Sequence, residues 1–126
     1  MKTLASYVEG AFRAGKGGQI LVNPATEEPL AETSTDGIDF GAALAYARDK
    51  GGAASAAMTF AERGGLLRAM SRAIHAHRDE LLDLAIANGG NTRSDAKFDV
   101  DGASGTLAYY ADLGDKLGAQ RFLVDG

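Results

Sequence analysis

The chain has 126 residues, a net charge of −4, and neither cysteine nor tryptophan. The missing thiols exclude disulfides, thiolate-bound metals and a cysteine nucleophile within these residues, and the mildly acidic, mixed-sign charge argues against nucleic acid or an anionic membrane as partner. At 45% hydrophobic the composition is that of a folded chain, expected to be one domain, and no apolar run approaches the ~20 residues of a membrane span.

Met1–Gly10 lacks the apolar stretch and cleavage site of a signal peptide, so a cytoplasmic location is expected. Residues 1–35 read as strands and turns. Ala5–Val8 and Ala11–Arg13 flank Glu9-Gly10, a two-residue hairpin turn in which glycine accepts positive φ. After the glycine run at 15–18, Gln19–Val22 is a further strand with β-branched content. Asn23-Pro24-Ala25-Thr26-Glu27 carries turn chemistry, and Pro29–Thr33 is a strand that proline can only open or place on an edge. Strands this short need a partner sheet or a covering helix.

Residues 36–126 read as mainly helical, about four helices in all, and both prolines lie before them. Asp36 is the expected cap of a helix over Ile38–Lys50, with Phe40, Leu44 and Ala47 on its inner face and Gly51-Gly52 as its stop. Thr59-Phe60-Ala61-Glu62 spells a capping box. Behind it Phe60, Leu67, Met70 and Ile74 form an apolar stripe that leaves Arg63, Arg68 and Arg72 to solvent. Arg78–Ala87 is a further helix ending at Asn88-Gly89-Gly90, and Thr92 to Asp95 caps the last one. There Val100, Ala103, Leu107, Tyr110, Gly114 and Leu117 recur at spacings of 3, 4, 3, 4 and 3, one continuous helical face. The fold class is therefore α+β: short N-terminal strands with a hairpin, followed by helices.

Chemical signals are sparse. Gly10 to Gly17 nearly spells the phosphate loop G-x-x-x-x-G-K-[ST], but Gly17 stands where a metal-binding hydroxyl belongs, and a strand follows where a helix is required. No dinucleotide fingerprint G-x-G-x-x-G occurs. His75 and His77, two apart on a helix, point roughly 200° apart and cannot share a metal. Asp95 and Asp99 share a helix face, but Asp95 suits the first-turn dipole, so a solvated face is expected rather than an acid–base pair. Gly102 and Gly105 each cost about 1 kcal/mol in a helix interior, so the pair asks for a reason. Close packing against a neighbouring element is the plain expectation, and room for a ligand channel beside Asp101 and Thr106 is the functional one. Of the adjacent Tyr109 and Tyr110, one is expected to face the core and the other an interface or a ligand, with packing into the core alone as the default.

Certain stretches resemble the beginning of an aldehyde dehydrogenase, and more narrowly the semialdehyde dehydrogenases of phenylacetate degradation, often fused to an enoyl-CoA hydratase-type domain. They are Thr33–Phe40, Met58–Arg63, Ile86–Asp95, Asp99–Leu107 with Tyr109-Tyr110-Ala111, and Arg121–Gly126. The likeness covers essentially the whole chain. Asn-Pro-Ala-Thr is generic to the superfamily, whereas Asn-Gly-Gly-Asn-Thr-Arg and Asp-Val-Asp-Gly are more specific. Two departures stand out: Glu27 replaces the usual glycine of the turn, and Phe12 replaces a frequent tryptophan.

The resemblance implies part of the α/β aldehyde dehydrogenase fold and NAD- or NADP-dependent oxidation of an aldehyde to an acid. In that chemistry a cysteine thiolate attacks the aldehyde, hydride passes to nicotinamide, and a glutamate-assisted water releases the product. The resemblance places the nucleotide-binding core, cysteine and glutamate beyond the position of Gly126. These residues are thus expected to hold no catalytic, cofactor-binding or metal-binding group and to be inactive alone. The implied partners are the remainder of the dehydrogenase chain, further copies in a homo-oligomer, and a CoA-linked semialdehyde of phenylacetate catabolism or, as the alternative, of benzoyl-CoA breakdown. By the same resemblance Asp101, Gly102, Gly105 and Thr106 border the substrate entrance. A free-standing, non-catalytic interaction module is the competing expectation.

Overall fold

A computed structural model describes residues 1–123. Five short strands open the chain: β1 (Lys2–Thr3), β2 (Ser6–Val8), β3 (Ala11–Arg13), β4 (Gln19–Val22) and β5 (Pro29–Thr33). β2 and β3 form a separate hairpin in which Ser6 faces Arg13 and Val8 faces Ala11. Its turn residues Glu9 and Gly10 both have positive φ, 52° and 82°, the twist-matched geometry expected of a two-residue loop. A second sheet has the order β1-β5-β4, with β5 central. β4 runs antiparallel to β5, pairing Leu21 with Ala31, and a bulge between Leu21 and Val22 lets Pro29 open β5. β1 lies parallel to β5, a pairing absent from the sequence reading because two residues carry no alternation to detect.

Between β4 and β5 the Asn-Pro turn closes on Asn23. Its side-chain Oδ1 accepts from the amides of Ala25 (2.8 Å) and Thr26 (3.3 Å), while its carbonyl accepts from Glu27 N at 2.8 Å. Glu27 adopts φ 61°. The turn thus keeps the left-handed backbone that glycine takes freely, and a glutamate bears the steric cost.

The helices are α1 (Phe40–Tyr46), α2 (Ala53–Ala57), α3 (Phe60–Ala76), α4 (Arg78–Gly89) and α5 (Arg93–Leu117). The first departs from expectation in three ways. Asp39, not Asp36, caps α1: its Oδ1 accepts from Ala42 N at 2.9 Å, while a left-handed Gly37 (φ 79°) turns the chain before it. Gly51-Gly52 does not stop the helix. A π-helical stretch, Ala47–Gly52, carries it straight into α2; both glycines stay right-handed, and the alanine-rich run beyond favours continuation. Phe40 and Leu44, expected on an inner face, are 63% and 61% exposed.

The later boundaries follow their caps. Thr59 Oγ1 accepts from Glu62 N (3.2 Å) and Glu62 Oε2 accepts from Thr59 N (2.7 Å), a complete capping box. The Thr59 amide and hydroxyl, both donating to Glu62 Oε2, hold the Glu62 carboxyl below its usual range. Thr92 caps α5 by accepting from Asp95 N at 3.2 Å, and a left-handed Gly90 ends α4.

α3 and α5 cross closely at Gly64 and Gly114. A β-carbon on Gly64 would lie 2.8 Å from the Ala111 carbonyl oxygen, and one on Gly114 would lie 2.7 Å from that of Phe60. Around this crossing and the α4–α5 contact sit the buried Ala96, Ala111 and Leu82; Ala31 is the buried residue of the sheet. Met70, expected in the α3 stripe, is instead 52% exposed.

This core is small for the chain. The accessible surface is 8926 Å², against roughly 6,300 Å² for a compact 13.0 kDa monomer. The surplus includes Tyr7 and Phe12, whose rings meet edge to face on the open hairpin with centroids 4.9 Å apart.

Candidate functional site

The four residues expected at a substrate entrance share the middle of α5. Asp101 and Thr106 are five apart, which puts their side chains on opposite flanks of the Gly102–Gly105 strip. The glycines do not serve close packing: a β-carbon on either would meet no atom within 4 Å. The close approach of α5 to a neighbour falls at Gly114 instead. Phe98, four residues before Gly102, is 82% exposed, and Tyr109, four after Gly105, is 64% exposed. The helix therefore presents a glycine-floored notch between two aromatic posts. Tyr110 is also exposed, at 54%, with its ring edge-on to Tyr109 at 5.3 Å, so neither tyrosine fills the core.

Asp101 is already engaged. Arg78, the first residue of α4, donates from Nε to Oδ1 at 2.6 Å and from NH2 to Oδ2 at 2.7 Å, a two-pronged bridge from α4 to α5. The guanidinium holds the Asp101 carboxyl below the usual aspartate range, and the carboxylate raises Arg78 in turn. An ionised, doubly bonded carboxylate is a poor proton acceptor. Its role is to fix the α5 turn that carries Gly102. Arg78 and Asp101 are 23 residues apart, and no local pattern relates them, so the pairing is illegible in sequence.

Other charged residues also bridge helices. Arg68, expected in solvent, donates to Asp112 at 2.8 Å and also to Asp115, tying α3 to α5. Arg93 donates to Asp83 at 3.0 Å. Arg63 NH2 donates to the Arg121 carbonyl at 2.7 Å, reaching the C-terminal stretch of the family likeness, whose last three residues lie outside the described ones. Asp95 accepts from the Thr92 hydroxyl at 2.7 Å, and Asp99 is 3.4 Å from the Asn91 amide, consistent with local roles rather than an acid–base pair. Among the described residues no group of three metal-ligating side chains converges, and no helix is long and apolar enough to cross a membrane.

The glycine run at 15–18 folds onto Thr33 and Ser34 and leads into β4, so no helix N-terminus follows it to receive a phosphate.

The profile of the aldehyde dehydrogenase family matches residues 13–125. The chain belongs to the aldehyde dehydrogenase family. It is similar to 3,4-dehydroadipyl-CoA semialdehyde dehydrogenase of Aromatoleum evansii, 46% identical over 124 residues that make up 98% of this chain and 24% of that protein. It is 32% identical over 107 residues to the peroxisomal aminoaldehyde dehydrogenase 2 of Malus domestica, covering 80% of this chain and 21% of the relative. Among solved structures, an NAD-dependent benzaldehyde dehydrogenase from Corynebacterium glutamicum superposes with a TM-score of 0.79 at 23% identity, over 92% of this chain and 26% of that one. The latter likeness establishes the shared α+β fold of this family's region. The chain spans about a quarter of the length of these relatives.

Proposed function

We propose that these residues act as one structural portion of a longer NAD(P)-dependent dehydrogenase that oxidises a CoA-linked semialdehyde to its acid in aromatic catabolism, and that they are inactive alone. The 46% identity to a CoA-semialdehyde dehydrogenase across nearly the whole chain carries the reading. The absence of any cysteine means that the nucleophile comes from outside these residues. The surface surplus supports the structural role over a free-standing module, because a self-sufficient domain of this mass would bury more of its aromatic and aliphatic side chains.

In this reading the notch of α5 borders the path of the substrate, with Gly102 and Gly105 leaving room for a bulky thioester arm and the Arg78–Asp101 bridge keeping the notch in place. When bound to the rest of the enzyme, the nicotinamide supplies hydride acceptance; these residues shape and position the neighbouring wall. The dehydroadipyl-CoA semialdehyde named for the A. evansii relative is the first substrate to test, with the semialdehyde of phenylacetate breakdown beside it.

The deciding experiment measures nicotinamide reduction by the full-length enzyme on both thioesters and on short free aldehydes, for the wild type and for Gly102→Leu and Gly105→Leu. The expected result is turnover of a CoA-linked semialdehyde, with a raised KM in the leucine variants and unchanged turnover of short free aldehydes. Equal, unaltered turnover of both substrate types in the variants removes the notch from the substrate path. Failure to oxidise any CoA-linked semialdehyde refutes the substrate class.

A further inference from the structure

Beside the notch, on the α3 side of α5, lies a groove of about 370 Å³ lined in part by Arg72, His75, Ser104 and Gly105. No carboxylate is among its lining residues, in a chain whose net charge is −4. Arg72 differs from the arginines on either side of it. Arg68 and Arg78 are both bonded to aspartates, whereas Arg72 has no carboxylate within 4.0 Å among the described residues. Arg72 and His75 stand one turn apart on α3, so both donors reach the same opening. The Ser71 hydroxyl donates to the Ser104 carbonyl (2.8 Å) and the Ser104 hydroxyl to the Asp101 carbonyl (3.3 Å). The serines therefore brace the walls, and the free donors are the guanidinium and the imidazole. A β-carbon at Gly105 would meet no atom within 4 Å, so the floor stays open.

We propose that this groove receives a phosphate of the CoA arm, with Arg72 as the principal contact and His75 as the second. The proposal rests on the CoA-semialdehyde reading above and places the anionic end of that substrate. A guanidinium without a carboxylate partner, beside open space, suits a phosphate, which it can grip with two parallel donors. Gly105 is common to the groove and the notch, so a thioester arm passing along α5 would meet both.

The test compares the full-length enzyme on the CoA-linked semialdehyde and on the same semialdehyde linked to pantetheine, which has the thioester arm and no phosphate. Arg72→Ala is expected to raise KM for the CoA substrate about five-fold, the worth of one exposed charge-assisted contact, while leaving the pantetheine substrate unaffected. Arg72→Lys should recover part of the loss, and Arg72→Glu should exceed it. An unchanged CoA-to-pantetheine preference across the three variants overturns the groove assignment and leaves the CoA-semialdehyde reading intact. If the wild type accepts neither thioester while oxidising free aldehydes, both fall together. An equal rise in KM for both thioesters also overturns the assignment, because it shows disturbed packing rather than a lost phosphate contact.

Discussion

Two adjacent glycines of α3 should respond to the same substitution with opposite sign. In Gly64→Ala the new methyl group would sit 2.8 Å from the Ala111 carbonyl oxygen and 3.5 Å from the Gly114 α-carbon. Both are backbone atoms of α5, so no side chain can rotate away, and the two helices must separate by several tenths of an ångström. Overpacking of this kind costs about 1–3 kcal/mol, and the better helix propensity of alanine returns about 1 kcal/mol. The net expectation is a loss of up to about 2 kcal/mol. In Gly65→Ala the methyl group would meet no atom within 4 Å, which leaves the propensity gain of about 0.5–1 kcal/mol unopposed. Thermal denaturation of the full-length enzyme, followed by far-ultraviolet circular dichroism, reads both signs. Amide hydrogen exchange along α3 then localises the change to the crossing. If Gly64→Ala is as stable as Gly65→Ala, α3 and α5 do not meet at these glycines, and the account of the helical core is wrong.

Two further predictions concern single residues. Glu27→Gly should stabilise the protein by about 1 kcal/mol, because φ 61° costs a side chain roughly that much and glycine little; a denaturation midpoint at or below the wild type would show that the turn carries no such strain. The Asp101 carboxyl should titrate below its ordinary value of 3.8, since the Arg78 bridge favours the charged form. With the folded value depressed, the bridge contributes fully above pH 3.8 and is lost only as pH falls through the lower folded value. Carboxyl-carbon NMR across that range checks it, and a midpoint at or above 3.8 would mean that the bridge does not persist in solution.

Legibility followed the range of the interaction. The Glu9-Gly10 turn, the Thr59–Glu62 box, the Thr92 cap and the Gly90 stop all involve groups within a few residues of each other, and each stands where the sequence puts it. β3, β4 and β5 likewise have the predicted bounds. The misreadings occurred where two local signals competed. Asp36 and Asp39 are both plausible caps, and only the turn at Gly37 selects the second. Gly51-Gly52 is a stop when one glycine turns left-handed, yet here both remain helical.

At the candidate site the sequence singled out Asp101, Gly102, Gly105 and Thr106 but assigned no partner to Asp101 and left the glycines open to two readings, close packing or room for a ligand. Helix propensity marks a glycine as unusual without saying whether a neighbour or open space is the cause. Sequence alone therefore determined the α+β class, the caps and turns, the family likeness and the absence of a thiol nucleophile, because composition and short-range patterns encode them. Tertiary structure alone decided that Gly64 and Gly114 make the close crossing, that Arg78 holds Asp101, and that Arg72 faces an open groove. Those facts depend on which residues of α3, α4 and α5 meet across tens of positions, and that is set by the packing of whole helices.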